Sequence, residues 1–172
     1  MKHQNQQPHP AQASSKAMLE DQDKTAQGQM TEPDEGVVTA SLVAEDDRLE
    51  FLPKHFGIRR MLQGEALVFG WMDALSKTYG GGYWNFYTLS NGGFYMAPDR
   101  KDAMRIDVVG NDFSGDVSAD AAGVIATLFA LRQMAHDLRG TEDGNTAGES
   151  YRRLLDFVGA HPEAGAIYRA ID

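Results

Sequence analysis

The spacing of apolar positions changes along the chain, and each change marks an element. Leu62, Ala66, Phe69, Met72, Leu75 and Tyr79 recur every three or four residues, which predicts an amphipathic helix over about 60–78. Gly64 and Gly70 lie inside it, and each costs ~1 kcal/mol relative to Ala. Tertiary packing must therefore hold this helix, with another backbone passing close to those glycines. Gly80-Gly81-Gly82 ends it. Upstream, Leu49, Phe51, Leu52, Phe56 and Ile58 crowd around Pro53 and Gly57. That cluster predicts a packed turn or a short helix starting at the proline.

Between 83 and 117 the pattern is that of strands. Tyr83–Leu89 and Phe94–Ala97 are aromatic-rich and flank Ser90-Asn91-Gly92-Gly93, where Asn-Gly offers the positive φ of a tight hairpin turn. Met104–Val108 alternates apolar and charged residues, as a strand with one face in water does. Gly110-Asn111-Asp112 reads as a turn and Phe113–Val117 as a short final strand. Val124, Leu128, Leu131, Ala135 and Leu138 then form one stripe, widened by Ile125 and Phe129. They predict an apolar helix over about 119–138, capped by Ser118 with Asp120 in its first turn, lying against the sheet. Gly140–Gly148 reads as a polar loop, 151–158 as a third helix stopped by His161-Pro162, and 164–171 as a fourth. The expected class is α+β: an antiparallel meander of three or four strands with helices packed on it.

Charge divides the chain differently. Residues 1–47 hold three Lys and nine acids, whereas the remaining 125 carry 13 basic and 16 acidic groups. The early stretch is Gln-rich and lacks aromatics, so it cannot bury enough apolar surface to offset the entropy of ordering. A disordered leader over 1–36 and a single domain over 37–172 are expected, with Val37–Val43 an extended segment docking on the domain. No cysteine occurs, which removes disulfides and thiolate chemistry. No stretch approaches the ~18 apolar residues of a membrane span, and the start lacks the apolar core of a secretory signal. A cytoplasmic protein with no membrane partner is the expectation.

Reactive constellations are scarce. No Gly-x-Ser-x-Gly elbow occurs, and Ser90 and Ser114 read as turn and strand residues. His55, His136 and His161 lack metal-ligand spacing; His136 reads as solvated, and His161 as a cation at a helix end. The hairpin over 83–97 is aromatic but contains no Lys or Arg, unlike platforms that stack nucleic acid in positive grooves. Arg59-Arg60 and Arg152-Arg153 are isolated doublets, so direct nucleic-acid binding is not expected. Asp107, Asp112, Asp116 and Asp120 lie at close intervals. Turn, cap and solvent positions explain each singly; together they define a candidate patch for partner contact.

Several blocks resemble the ArdB/KlcA antirestriction proteins. They are Arg48–Pro53 with His55-Phe56-Gly57, Gly64–Val68, Gly81–Tyr87 followed by Leu89–Tyr95, Ser118–Gly123, His161–Ala164 and Tyr168–Asp172. They occur in order from about Val37 to Asp172. The resemblance implies a small cytoplasmic protein carried on plasmids or other mobile DNA. Such a protein relieves type I restriction of unmodified incoming DNA, with the restriction–modification complex or an associated host protein as partner. It implies no catalytic residues, no cofactor and no bound metal. Full imitation of DNA is disfavoured: a mimic about 30 Å long needs on the order of 18 unneutralised charges along one face, and this domain dilutes 16 acids with 13 basic groups. The alternatives are a small metal-dependent hydrolase using the Asp cluster, and an interaction module that dimerises through a sheet edge.

Overall fold

The computed structural model describes residues 36–172. The leader expected over 1–36 therefore lies, Gly36 apart, outside the described residues. Strand β2 (Trp84–Leu89) turns into β3 (Phe94–Pro98) through Ser90-Asn91-Gly92. Only Gly92 takes the left-handed conformation, at φ +81°. Asn91 braces the turn instead, its Oδ1 accepting the Gly93 N–H at 3.0 Å and its Nδ2 donating to the Arg153 carbonyl at 2.8 Å. The extended segment expected over 37–43 supplies β1 (Ala40–Leu42), which pairs antiparallel with β2 and sets Ser41 opposite Thr88.

The expected meander divides here into two sheets. β1-β2-β3 form one, and β4 (Met104–Val108) with β5 (Phe113–Val117) form the other, all antiparallel. The physical reason lies at the outer edge of β3. Helix α3 (Ala119–Asp137) occupies that edge: Thr127 Oγ1 accepts the Met96 N–H at 3.2 Å and donates to the Met96 carbonyl at 3.4 Å. Pro98 adds no N–H for a further strand. The approach is close enough that a Cβ on Gly123 would stand 2.4 Å from the Met96 carbonyl oxygen and 2.5 Å from Ala97 Cα. α3 is starred with small and apolar residues on nearly every side and packs against α2, α4, α5 and β3. Ser118 caps it as expected, accepting the Ala121 N–H at 3.1 Å.

The helices before the sheet cover its other face. α1 (Arg48–Phe56) begins before Pro53 rather than at it, and Phe51 stacks on Phe86 at 4.5 Å between ring centres. α2 (Met61–Leu75) lies within the predicted span, but its buried face runs through Gly64, Val68, Met72 and Leu75 and leaves Leu62 and Ala66 of the expected stripe exposed, and its glycines differ in role. A Cβ on Gly64 would strike the Phe56 ring at 2.2 Å, so an aromatic ring and not a backbone makes the close approach. Gly70 faces open space.

α4 (Glu142–Val158) starts inside the stretch expected to be a loop. Thr141 accepts the Gly144 N–H at 3.1 Å, and Glu142 and Asp143 place negative charge at the helix N-terminus. Gly144 permits this tight entry, since a Cβ there would lie 2.2 Å from the Leu138 carbonyl oxygen. α5 (Ala164–Ile171) closes the fold. Asn111, in the β4–β5 turn, donates to the Arg169 and Ala170 carbonyls at 3.1 Å and so satisfies the end of α5.

Gly70, exposed, and Gly123, buried, give opposite expectations for one substitution. Gly70→Ala raises stability by about 0.5–1 kcal/mol, because helix propensity improves and nothing is displaced. Gly123→Ala lowers it by about 1–3 kcal/mol through overpacking against β3. Urea midpoints of the two variants at constant slope check both signs.

Candidate functional site

The β4–β5 register sets Arg105 opposite Asp116 and Asp107 opposite Ser114, all on one face of the hairpin. Arg105 lies between the carboxylates, 3.4 Å from Asp107 and 3.7 Å from Asp116. Ser114 accepts from the Arg105 guanidinium at 2.6 Å and donates to Asp107. The Ser114 hydroxyl first, then the Arg105 charge, hold the Asp107 carboxyl below the usual carboxylate range. Asp112 occupies the turn at φ +56°. With Asp116 it lines a hollow of about 430 Å³ that also receives Arg169 of α5. Three of the four predicted patch residues thus lie on the β4–β5 hairpin, with Arg105 between two of them.

Asp120 serves a different purpose. Its Oδ1 accepts the Tyr95 hydroxyl at 2.8 Å and its Oδ2 accepts from His161 Nε2 at 3.0 Å. His161 is buried, and its Nδ1 accepts the Glu163 N–H at 2.9 Å. That acceptance leaves Nδ1 without a hydrogen and puts the ring proton on Nε2. His161 therefore caps the entry to α5 as an acceptor, and not the end of α4 as the expected cation. Glu163 in turn accepts the Ser118 N–H at 3.0 Å and the Ser118 hydroxyl. Burial first, then the Asp120 charge, push the Tyr95 phenol far above its ordinary value. Tyr87 stacks on Tyr95 at 4.6 Å, and its phenol is raised as well by burial.

Chemically, this network is a latch. Both His161 nitrogens are engaged, so neither is free to take a proton from a nucleophile, and the Ser118 proton already goes to Glu163. The latch joins β3, the start of α3 and the start of α5. Nothing in the spacing announced it, because Asp120 and His161 are 41 residues apart. The aromatic hairpin is core: Trp84, Phe86, Phe94 and Tyr95 are all buried.

The remaining histidines stand apart. His136 is exposed beside Asp137, in keeping with the solvated role expected of it. His55 lies flat on Phe94 at 4.4 Å, and its buried Nε2 has no hydrogen-bond partner. Burial, aided by the Lys54 charge, lowers its pKa to about 4. It lines a hollow of about 390 Å³ between α1 and the β1–β2 pair. Among the described residues, no three His, Asp or Glu side chains converge to hold a metal ion. No helix among them is long and apolar enough to cross a membrane.

The chain is an α+β body whose two small antiparallel sheets and remaining helices pack on one apolar helix, α3. A family model described as "Antirestriction protein" matches residues 77–172, and the chain belongs to this family. Its relatives include an antirestriction protein KlcA of Escherichia coli, 58% identical over 137 residues that span 78% of this chain and 94% of the relative. An uncharacterized protein YafX of Escherichia coli K12 is 40% identical across 78% of this chain and 88% of its own length. A solved structure superposes with TM-score 0.74 at 56% identity, covering 78% of this chain and 95% of the other. That work describes the KlcA and ArdB proteins as showing "a novel fold and antirestriction activity against Type I DNA restriction systems in vivo but not in vitro".

His55 makes stability depend on pH. Its pKa is lowered from 6.5 to about 4 in the folded protein. Between those values the unfolded chain binds more protons, so stability rises with pH across the window and is lost as pH falls through it. His55→Phe keeps a ring on Phe94 and removes the titration. Its melting temperature should fall less than that of the parent protein between pH 6.5 and 4.

Proposed function

We propose that this chain relieves restriction of incoming unmodified DNA by type I restriction–modification enzymes. It acts in the cytoplasm by contacting a protein, and not by turning over a substrate or imitating a length of duplex. The observation that carries this reading is the shared fold at 56% identity with relatives described as active against type I systems in vivo. Their lack of activity in vitro favours a route that includes a cellular component besides the purified enzyme. The restriction complex or a host protein associated with it is the partner. No convergent ligand set among the described residues favours the metal-dependent hydrolase.

Contact is proposed to centre on Asp107, Asp112 and Asp116, with Asp120 holding the adjoining helix start in place. Arg105 offsets part of this charge at a distance, so the carboxylates act where the partner touches them. The latch bonds of Asp120 mean that reversing its charge would disturb the fold, so a test of the surface leaves it alone.

The deciding experiment compares plating of unmodified and modified phage on a restricting host with and without the gene. Relief confined to unmodified phage is expected; none under good expression would refute the function. Asp107→Lys, Asp112→Lys and Asp116→Lys combined should cut relief by about tenfold or more while the melting curve stays cooperative. Undiminished relief would remove this surface from the mechanism.

A further inference from the structure

Helix α2 carries more apolar surface than the domain covers. Of its 15 residues only Gln63, Glu65 and Asp73 are polar, and a helix so composed is normally enclosed by protein. Here Gly64, Val68, Met72 and Leu75 are buried, while Leu62, Ala66 and Gly70 on the opposite side lie exposed. Leu62 is 70% exposed, and a Cβ added to Gly70 would meet no atom within 4 Å. Helical winding sets Arg59, Leu62, Ala66, Gly70 and Asp73 along one line of this open face. Arg59 joins the line from the turn before α2, which is already wound as a helix: the Met61 N–H donates to the Gly57 carbonyl at 2.9 Å.

The charges at the two ends of this line oppose what the helix itself favours. Acids suit a helix N-terminus and bases its C-terminus, yet α2 has no acid in its first turn and no base in its last. Arg59 stands just before its start instead, and Asp73 lies in its final turn; both are exposed. Among the described residues neither is part of an ion pair. The line is also symmetric about Ala66, which is seven residues from Arg59 and from Asp73, and four from Leu62 and from Gly70. A charge thus mirrors its opposite, and a large side chain mirrors a missing one.

We propose that the open face of α2 binds the same face of a second copy of this chain, the two helices antiparallel and crossing at Ala66. A twofold axis there sets Arg59 of each copy against Asp73 of the other, Leu62 against the space at Gly70, and Ala66 against Ala66. Small side chains at the crossing let the helix axes approach to about 8 Å at a shallow angle. Parallel pairing would set Arg59 on Arg59 and Asp73 on Asp73, so the charges select the antiparallel arrangement. One helix a side makes a small interface, and a dissociation constant on the order of 10–100 µM is expected. The dimer stands independently of the antirestriction reading.

Sedimentation equilibrium of the full-length protein, from about 1 to 300 µM, reads this association. A monomer–dimer equilibrium is expected. Ala66→Glu brings two carboxylates together at the axis and should abolish the dimer while leaving the melting curve of dilute protein cooperative. Arg59→Asp and Asp73→Arg each turn two attractions into two repulsions, and each should weaken association by about tenfold or more. Both changes suit the helix dipole, so the single chain keeps its fold. Mixed in equal amounts, these two variants should associate again, because every facing pair between them is then of opposite sign. A monomer throughout the range, a dimer untouched by Ala66→Glu, or charge variants that stay apart when mixed would overturn the proposal.

Discussion

A single hydroxyl and a missing side chain set the architecture. Met96 lies in a strand buried along its whole length, and its outward N–H cannot reach water. Leaving such a donor unpaired costs about 1–3 kcal/mol. Thr127 answers it from within an otherwise apolar stretch of α3, and Gly123, one turn earlier, lets the helix come near enough to do so. Once α3 lies on the edge of β3, no strand can follow there. β4 and β5 must form a sheet of their own, and α2, α4 and α5 find a common apolar surface around α3. The asymmetry of the first sheet follows too, with one edge sealed by a helix and the other facing outward.

The latch at the start of α3 works in the same direction. Ser118 and Asp120 cap and charge the helix N-terminus as their positions demand, and both then reach across to Glu163 and His161. Side chains with the chemistry for proton transfer are thereby committed to holding elements together. A buried network of this kind is rigid when every member is satisfied. Here both carboxylates and both ring nitrogens of His161 have partners. What remains available to another molecule is surface: backbone edge, exposed carboxylates and shallow hollows.

Much of this was legible in the chain and some was not. The strands over 104–108 and 113–117, the hairpin at Asn91-Gly92 and the long apolar helix follow from periodicity and turn chemistry, since each is decided by local steric rules and a single buried face. The start of α4 was hidden because Gly144, Asn145 and Gly148 have poor helix propensity, although Thr141 followed by Glu142-Asp143 is a helix-start signal. The division of the sheet could not be read, because it depends on where Thr127 meets Met96, 31 residues away. Asp120 was legible as a first-turn acid but not as the partner of a buried histidine. Asp107, Asp112 and Asp116 lie on one hairpin and its turn, as their closeness along the chain requires.

The distribution of charge narrows how such a body can act on an enzyme. Many acids of the domain sit beside a cation: Glu45 beside Arg48, Asp107 and Asp116 beside Arg105, Asp143 beside Arg60, and Glu149 beside Arg152 and Arg153. Paired charges of this sort cancel beyond about a Debye length, roughly 8–10 Å at physiological salt, so the domain projects no continuous negative field of the kind a DNA duplex presents. Recognition then rests on short-range features that a neighbour must touch to detect. A protein of this design competes poorly for a site that evolved to hold a polyanion, but it can occupy a neighbouring surface whose shape and hydrogen-bonding groups match its own. This arrangement of side chains suits the proposed action through protein contact better than imitation of a duplex.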